Sequence, residues 1–343
     1  MSSIIIRNGT IINEGSSSIS DLLITDDKIT AIGTISGSEI PKGAKLIDAK
    51  GLFVIPGIID DQVHFREPGL TYKADIFSET RAAAAGGVTS FMDMPNTIPQ
   101  AVTNQILEEK YKIAAEKSLV NYSFYIGGTN TNLSDLLDTN PQTVCGIKLF
   151  LGSSTGNMLV NDEKTLREIF SKSSMLIACH CEDESTVRRN GEIYRAKFGE
   201  DVPVRFHPLI RSREACFITS SYAVNLAREY DTRIHILHLS TADEMKLFSS
   251  DRPVNEKKIT GEVCVHHLWF EEADYERLGN YIKWNPAIKT RFDRDSLING
   301  INNDLIDIIA TDHAPHTIEE KSNSYFRAPS GGPLVQHSLV LRI

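Results

Sequence analysis

The chain of 343 residues exceeds a typical single domain, yet an α/β barrel uses this length as one large unit with a smaller appendage. A hydrophobic fraction of 41% and a charged fraction of 24% are ordinary for a soluble protein with a sizeable core. Lys and Arg (36) against Asp and Glu (45) give a net charge of −9, which opposes general nucleic-acid binding and suits a small-molecule substrate.

Ile4, Ile5 and Ile6 open the chain, but Arg7 and Asn8 interrupt before a signal peptide or a membrane span can develop. A cytoplasmic protein without a membrane partner is expected. From there to about Ala49, short β-rich runs alternate with turns: Ile4 to Arg7, Thr10 to Ile12, Leu22 to Thr25, Ile29 to Ile32 and Lys45 to Asp48. Residues 1–52 therefore read as a small β-rich domain.

Beyond Leu52, apolar strands alternate with helical stretches, as parallel βα units require. The expected strands run near Phe53 to Ile59, Thr89 to Met94, Asn121 to Tyr125, Gly146 to Leu151, Met175 to Cys179, Arg233 to His238, Ile259 to Val265 and Asp307 to Thr311. Helical periodicity is clearest in Asn104 to Lys117, Asp162 to Ser171, Arg211 to Glu229 and Arg294 to Asn302, with Asn or Asp as caps at several starts. Residues 53–343 are thus expected to form an α/β fold, a (β/α)8 TIM-like barrel. A doubly wound open sheet is the alternative, since periodicity does not give strand order. The chain stops within the apolar run Leu339 to Ile343, so a longer native protein is expected, with the C-terminus truncated here.

Cys145, Cys179, Cys181, Cys216 and Cys264 are odd in number and lie in apolar segments, which suits reduced thiols. Cys179 and Cys181 flank His180, a run better read as strand packing than as a zinc knuckle. Ser153-Ser154-Thr155-Gly156 lacks the glycine spacing and the trailing Lys of a phosphate-binding loop, and no nucleotide site is indicated. His266 and His267 would point oppositely on a strand and receive no catalytic role.

In a parallel barrel the strand C-termini converge on one face. Polar groups gather there: Asp60-Asp61-Gln62-Val63-His64-Phe65-Arg66 after the first strand, Met94-Pro95-Asn96-Thr97 after the second, and Lys148 in the fourth. His180 ends the fifth, His238 the sixth, and Asp312-His313-Ala314-Pro315-His316 follow the eighth. A strand-end histidine taken singly is more often a hydrogen-bonding group than a ligand. Together, the histidines, an Asp and a Lys form a nitrogen and oxygen set suited to zinc or a similar divalent ion.

The run His64-Phe65-Arg66-Glu67-Pro68-Gly69, with Lys148, His180, His238 and Asp312 to His316, resembles the dihydroorotases of the amidohydrolase superfamily over nearly the whole chain. That resemblance implies a distorted β/α barrel with a small β domain, and reversible cyclisation of N-carbamoyl-L-aspartate to L-dihydroorotate in pyrimidine biosynthesis. It implies one or two zinc ions, with His64 on the more buried ion, His180 and His238 on the other, and a carbamate on Lys148 bridging them. Asp312 would ligate metal and act as the base. Arg66, Asn96 and His316 would hold the substrate carboxylate, and Asn285 the ring amide edge. A homodimer is compatible with it.

Where the family has the first histidine of its opening motif, this chain has Gln62, a weaker ligand with only a neutral amide oxygen to offer. Three outcomes stay open: a two-ion site completed by Gln62 or water, a single-ion enzyme, or an inactive relative. The competing functions are a hydantoinase or allantoinase, which Arg66 opposes because those substrates lack the ring carboxylate, and a silent partner of a carbamoyltransferase. The stretch Arg327 to Pro333 could cover the substrate or merely connect elements.

Overall fold

The computed structural model describes residues 2–152 and 158–341, so the Ser153 to Gly156 stretch lies outside the described residues. The chain divides into two units, Met1–Ile58 and Ile59–Ile343.

In the first unit, β1 (Ser3–Asn13), β2 (Ser16–Thr25), β3 (Lys28–Gly33), β4 (Lys45–Asp48) and β5 (Phe53–Val54) form one sheet in the order β3-β2-β1-β4, with β5 also on β1. The runs Ile4 to Arg7 and Thr10 to Ile12 prove to be a single strand. Its register against β2 shifts between Ile6 and Gly9, where Asn8 takes a φ of 61°. Such a bulge interrupts the alternation of side chains without ending the strand. Ile5, Leu23 and Ile35 pack together as the core of this unit.

One boundary differs from expectation. Phe53 and Val54 pair with Thr10 and Ile11 of the small sheet, and the first barrel strand begins only at Ile58. Pro56 and Gly57 separate the two, and an apolar run spanning both looks continuous in sequence.

The second architecture has eight strands: β6 (Ile58–Val63), β7 (Val88–Asp93), β8 (Asn121–Gly127), β9 (Gly146–Phe150), β10 (Ile177–His180), β11 (Ile234–Ile236), β12 (Ile259–Cys264) and β13 (Ile308–Ala310). They follow one another in chain order across the sheet, and the pairs from β7 to β13 are parallel. A parallel bridge between Val63 and His313, with His64 N donating to His313 O at 2.7 Å, links the two ends. This monotonic order excludes the doubly wound alternative, in which strand order reverses. The fold is a nearly closed β/α barrel.

Helices occupy Asn104–Lys117, Glu163–Lys172, Arg213–Tyr230 and Arg291–Asn302, as the periodicity predicts to within a few residues. Their caps are Thr103, Asp162, Ser212 and Thr290, each accepting a backbone N–H from the first turn, so hydroxyls do most of the capping expected of Asn and Asp. Ile76–Ala85 and Glu184–Phe198 are further helices that the periodicity did not single out. After β12 the chain turns directly into a short helix, Val265–Trp269, so His266 and His267 do not alternate across a strand; both are buried. All five cysteines are free. No helix among the described residues is long and apolar enough to cross a membrane.

Candidate active site

A cavity of about 730 Å³ opens at the C-terminal ends of the barrel strands. Gln62, His64, Lys148, His180, His238 and Asp312 line it, and so do Arg66, Asn96, Asn285 and His316. Arg66 and His316, 250 positions apart in the chain, thus meet on one surface, as the convergence of strand ends requires.

Three of these residues hold strained backbone. Arg66, His238 and Asp312 have φ values of 69°, 39° and 46°, in the left-handed region that costs an L-residue of order 1–3 kcal/mol. Neighbouring buried carboxylates fix these turns. Asp60 accepts from Thr311 Oγ1 at 2.6 Å and Thr311 N at 3.2 Å, just before Asp312. Glu262 accepts the His238 N–H at 3.0 Å and reaches His235 Nε2 at 3.1 Å. Asp93 accepts the Phe65 N–H at 2.7 Å and is paired with Lys110 Nζ at 2.6 Å, both groups buried. Gly69, with φ at 84°, lies so close to Ile98 that an added Cβ would meet its carbonyl oxygen at 2.0 Å, which explains the glycine closing the His64 to Gly69 run.

The histidines form two pairs. His180 Nδ1 and His238 Nε2 are 2.9 Å apart, while His180 Nε2 is 3.1 Å from Glu182 Oε2. If His180 donates Nε2–H to Glu182, its Nδ1 lone pair faces the other ring. Burial lowers the pKa of both imidazoles, His238 the more strongly, so both stay neutral near pH 7. His238 Nδ1 is buried without a hydrogen-bond partner. In the second pair, His64 Nδ1 is 2.7 Å from Asn96 Oδ1, and its Nε2 is 3.0 Å from Asp312 Oδ1. With Nδ1–H donating to Asn96, two acceptors confront each other. Neutral nitrogens and a carboxylate oxygen turned together in this way suit a divalent cation.

Lys148 lines the same cavity, buried, with its ammonium 4.5 Å from the centre of the Phe150 ring. Burial brings its pKa down to about 8, only partly opposed by Asp312 and Glu262.

Gln62 is hydrogen-bonded at both ends of its amide. Its Nε2 donates to Asp312 Oδ1 at 3.2 Å, and its Oε1 accepts from Cys264 Sγ at 3.6 Å. Flipping the amide would set its oxygen against the carboxylate, so an ionised Asp312 fixes this orientation. The donors offered to a cation are thus two imidazole nitrogens at the His180 and His238 pair, and one imidazole nitrogen with a carboxylate oxygen at the His64 and Asp312 pair. Among the described residues, the groups whose ligand atoms all converge within 4.8 Å are Cys264, His266 and His267, and separately Asp61, His235 and Glu262. Neither contains His64, His180 or His238.

A cationic wall completes the lining. Arg66 Nε donates to Pro315 O at 3.0 Å, and Arg66 Nη2 lies 3.0 Å from His316 Nε2. Glu67 is engaged by Lys117 and the Ile76 N–H, and Asp60 by Thr311, so neither is the structural partner of Arg66. Burial, with Arg66 and Lys73 nearby, depresses the His316 pKa to about 2, keeping the ring neutral. Lys321 Nζ donates to Pro329 O at 3.0 Å and Gly331 O at 2.8 Å, and Lys283 Nζ to Tyr325 O and Ala328 O, both at 2.6 Å. These ammonium groups staple the stretch whose Pro329, Ser330 and Gly331 line the cavity. Asn285 Oδ1 is buried and without a partner beside them.

Sequence reading missed Glu262, Glu182, Asp93 with Lys110, and Lys73. The available signal was a charge inside an apolar run, as in Gly261-Glu262-Val263-Cys264, because buried carboxylates are rare without a task.

Residues 53–334 match the amidohydrolase family. The dihydroorotase of Methanosarcina acetivorans is 33% identical over 355 residues, covering 100% of this chain and 74% of the relative. That of Bacillus subtilis is 33% identical over 336 residues, covering 96% and 75%. Among solved structures, the L-hydantoinase (dihydropyrimidinase) of Arthrobacter aurescens superimposes with a TM-score of 0.91 at 25% identity, over 98% of this chain and 76% of that one. The dihydropyrimidinase of Brevibacillus agri, at 24% identity and a TM-score of 0.86, covers 99% and 75% and shares the fold.

Proposed function

Because the chain belongs to the amidohydrolase family, we propose that it is a dihydroorotase, hydrolysing the cyclic amide of dihydroorotate and closing N-carbamoyl-aspartate in reverse. The observation that carries this reading is one cavity in which paired histidines and Asp312 share a wall with the guanidinium of Arg66.

His180 and His238 would hold a divalent ion of the zinc class, with Lys148, as a carbamate, and the His64 and Asp312 pair as the place for a second. A bound ion supplies Lewis acidity to the amide carbonyl and makes water a stronger acid. Glu182 and Glu262 orient the two histidines, the first through the ring and the second through the backbone. Asp312, held by the amide of Gln62, accepts a proton from the attacking water and returns it to the departing ring nitrogen. In the cyclising direction the same carboxylate takes the proton from the ureido nitrogen.

Arg66 presents its fork to the substrate carboxylate, which accepts two parallel hydrogen bonds. Asn96 and His316 flank that position. The unpartnered Oδ1 of Asn285 suits the N–H of the substrate ring, since a buried acceptor left unmade is costly. The enzyme would work in the cytoplasm on a small molecule, with a homodimer compatible.

The structural likeness to hydantoinases favours one rival, a cyclic amidohydrolase acting on substrates without the ring carboxylate. Dihydroorotate, hydantoin and allantoin assayed side by side on the zinc-loaded protein separate the two. Turnover of dihydroorotate is expected; activity confined to the other two would overturn the proposal.

A further inference from the structure

Lys73 follows the Arg66 to Gly69 turn and lines the cavity, with a side chain only 10% exposed. Its Nζ is 2.9 Å from His316 Nδ1 and 2.9 Å from Glu320 Oε1. An ammonium has no lone pair, so in the first contact His316 Nδ1 accepts. The Nε2 of the same ring lies 3.0 Å from both Ser330 O and Arg66 Nη2, so His316 sits between two cationic side chains.

We propose that Lys73 is a specificity-determining residue: with Arg66 it brackets His316, and it adds a second positive charge to the wall that receives the substrate carboxylate. Glu320 opposes it, holding part of that charge in an ion pair and accepting from Tyr72 Oη at 3.2 Å. The inference rests on the dihydroorotase reading. It makes the ion pair a regulator of anion affinity rather than a strut.

The test uses the zinc-loaded full chain with steady-state kinetics on dihydroorotate and on dihydrouracil, the same ring without a carboxylate. Lys73→Met should raise KM for dihydroorotate about tenfold with kcat within about threefold, and leave dihydrouracil kinetics and metal content unchanged. Lys73→Arg should recover most of the lost affinity. Glu320→Gln releases the ammonium and should lower KM for dihydroorotate by about threefold. A strut predicts otherwise: both Lys73→Met and Glu320→Gln would lower melting temperature and affect the two substrates alike, and that pattern overturns the proposal. Should Lys73→Met fail to fold, Lys73→Gln and Glu320→Gln decide it by the sign of their KM changes. An unmodified chain that turns over dihydrouracil but not dihydroorotate refutes the parent reading; one that turns over dihydroorotate with KM indifferent to Lys73 refutes this inference alone.

Discussion

Two walls of one cavity treat their polar groups in opposite ways. Around His180 and His238, burial keeps the rings neutral, and Glu182 leaves the Nδ1 lone pair of His180 facing inward, the arrangement a cation satisfies. Around Arg66 and His316, cationic donors face inward, and their carboxylate partners are few, the arrangement an anion satisfies. A substrate with an amide carbonyl at one side and a carboxylate at the other reads both walls at once. The comparison teaches that, on the proposed reading, the chemistry and the choice of substrate are separable, because different residues would hold each.

If they are separable, each wall should fail in its own way. The largest effect is expected for Asp312→Asn, which should lower kcat by roughly 1,000-fold or more while the fold, followed by circular dichroism, persists. Near-normal turnover would remove Asp312 from proton transfer. Next, Arg66→Ala should reduce kcat/KM for dihydroorotate by about 100-fold with metal content unchanged. Loss of metal in that variant would show the two walls to be coupled. On the histidine wall, Glu182→Gln should weaken metal binding roughly tenfold in chelator competition, since it frees the His180 ring. Unaltered affinity would mean that packing alone orients His180.

The smallest change concerns the His64 and Asp312 pair. Gln62→His replaces an amide donor by an imidazole, and should raise the metal bound, measured by elemental analysis, by up to about one ion per chain. A stoichiometry equal to that of the unaltered chain would show that Gln62 is not what limits occupancy.

Much of this was legible in the sequence. Strand positions could be read because buried parallel strands are continuous apolar runs, and His64, His180, His238 and Asp312 stood out because they punctuate such runs at the same end. Less legible were the places where two local signals run together. Phe53 and Val54 belong to the small sheet although their apolar run leads into the barrel strand. Val265 to Trp269 continues the apolar texture of β12 but coils into a helix, which short runs cannot distinguish by periodicity.

By itself, the sequence determined the order of the βα units, the inventory of candidate ligands and the presence of Arg66 and Gln62, since these are matters of residue type and spacing. Only the tertiary structure decided which way each polar atom faces. It turned the Gln62 amide nitrogen to Asp312, set Glu182 behind His180, and laid Lys73 against His316. The reason is physical: a hydrogen bond joins atoms about 3 Å apart with directed lone pairs, and residues 250 positions distant in the chain, such as Gln62 and Asp312, come within that range only once the strands have closed around a common core.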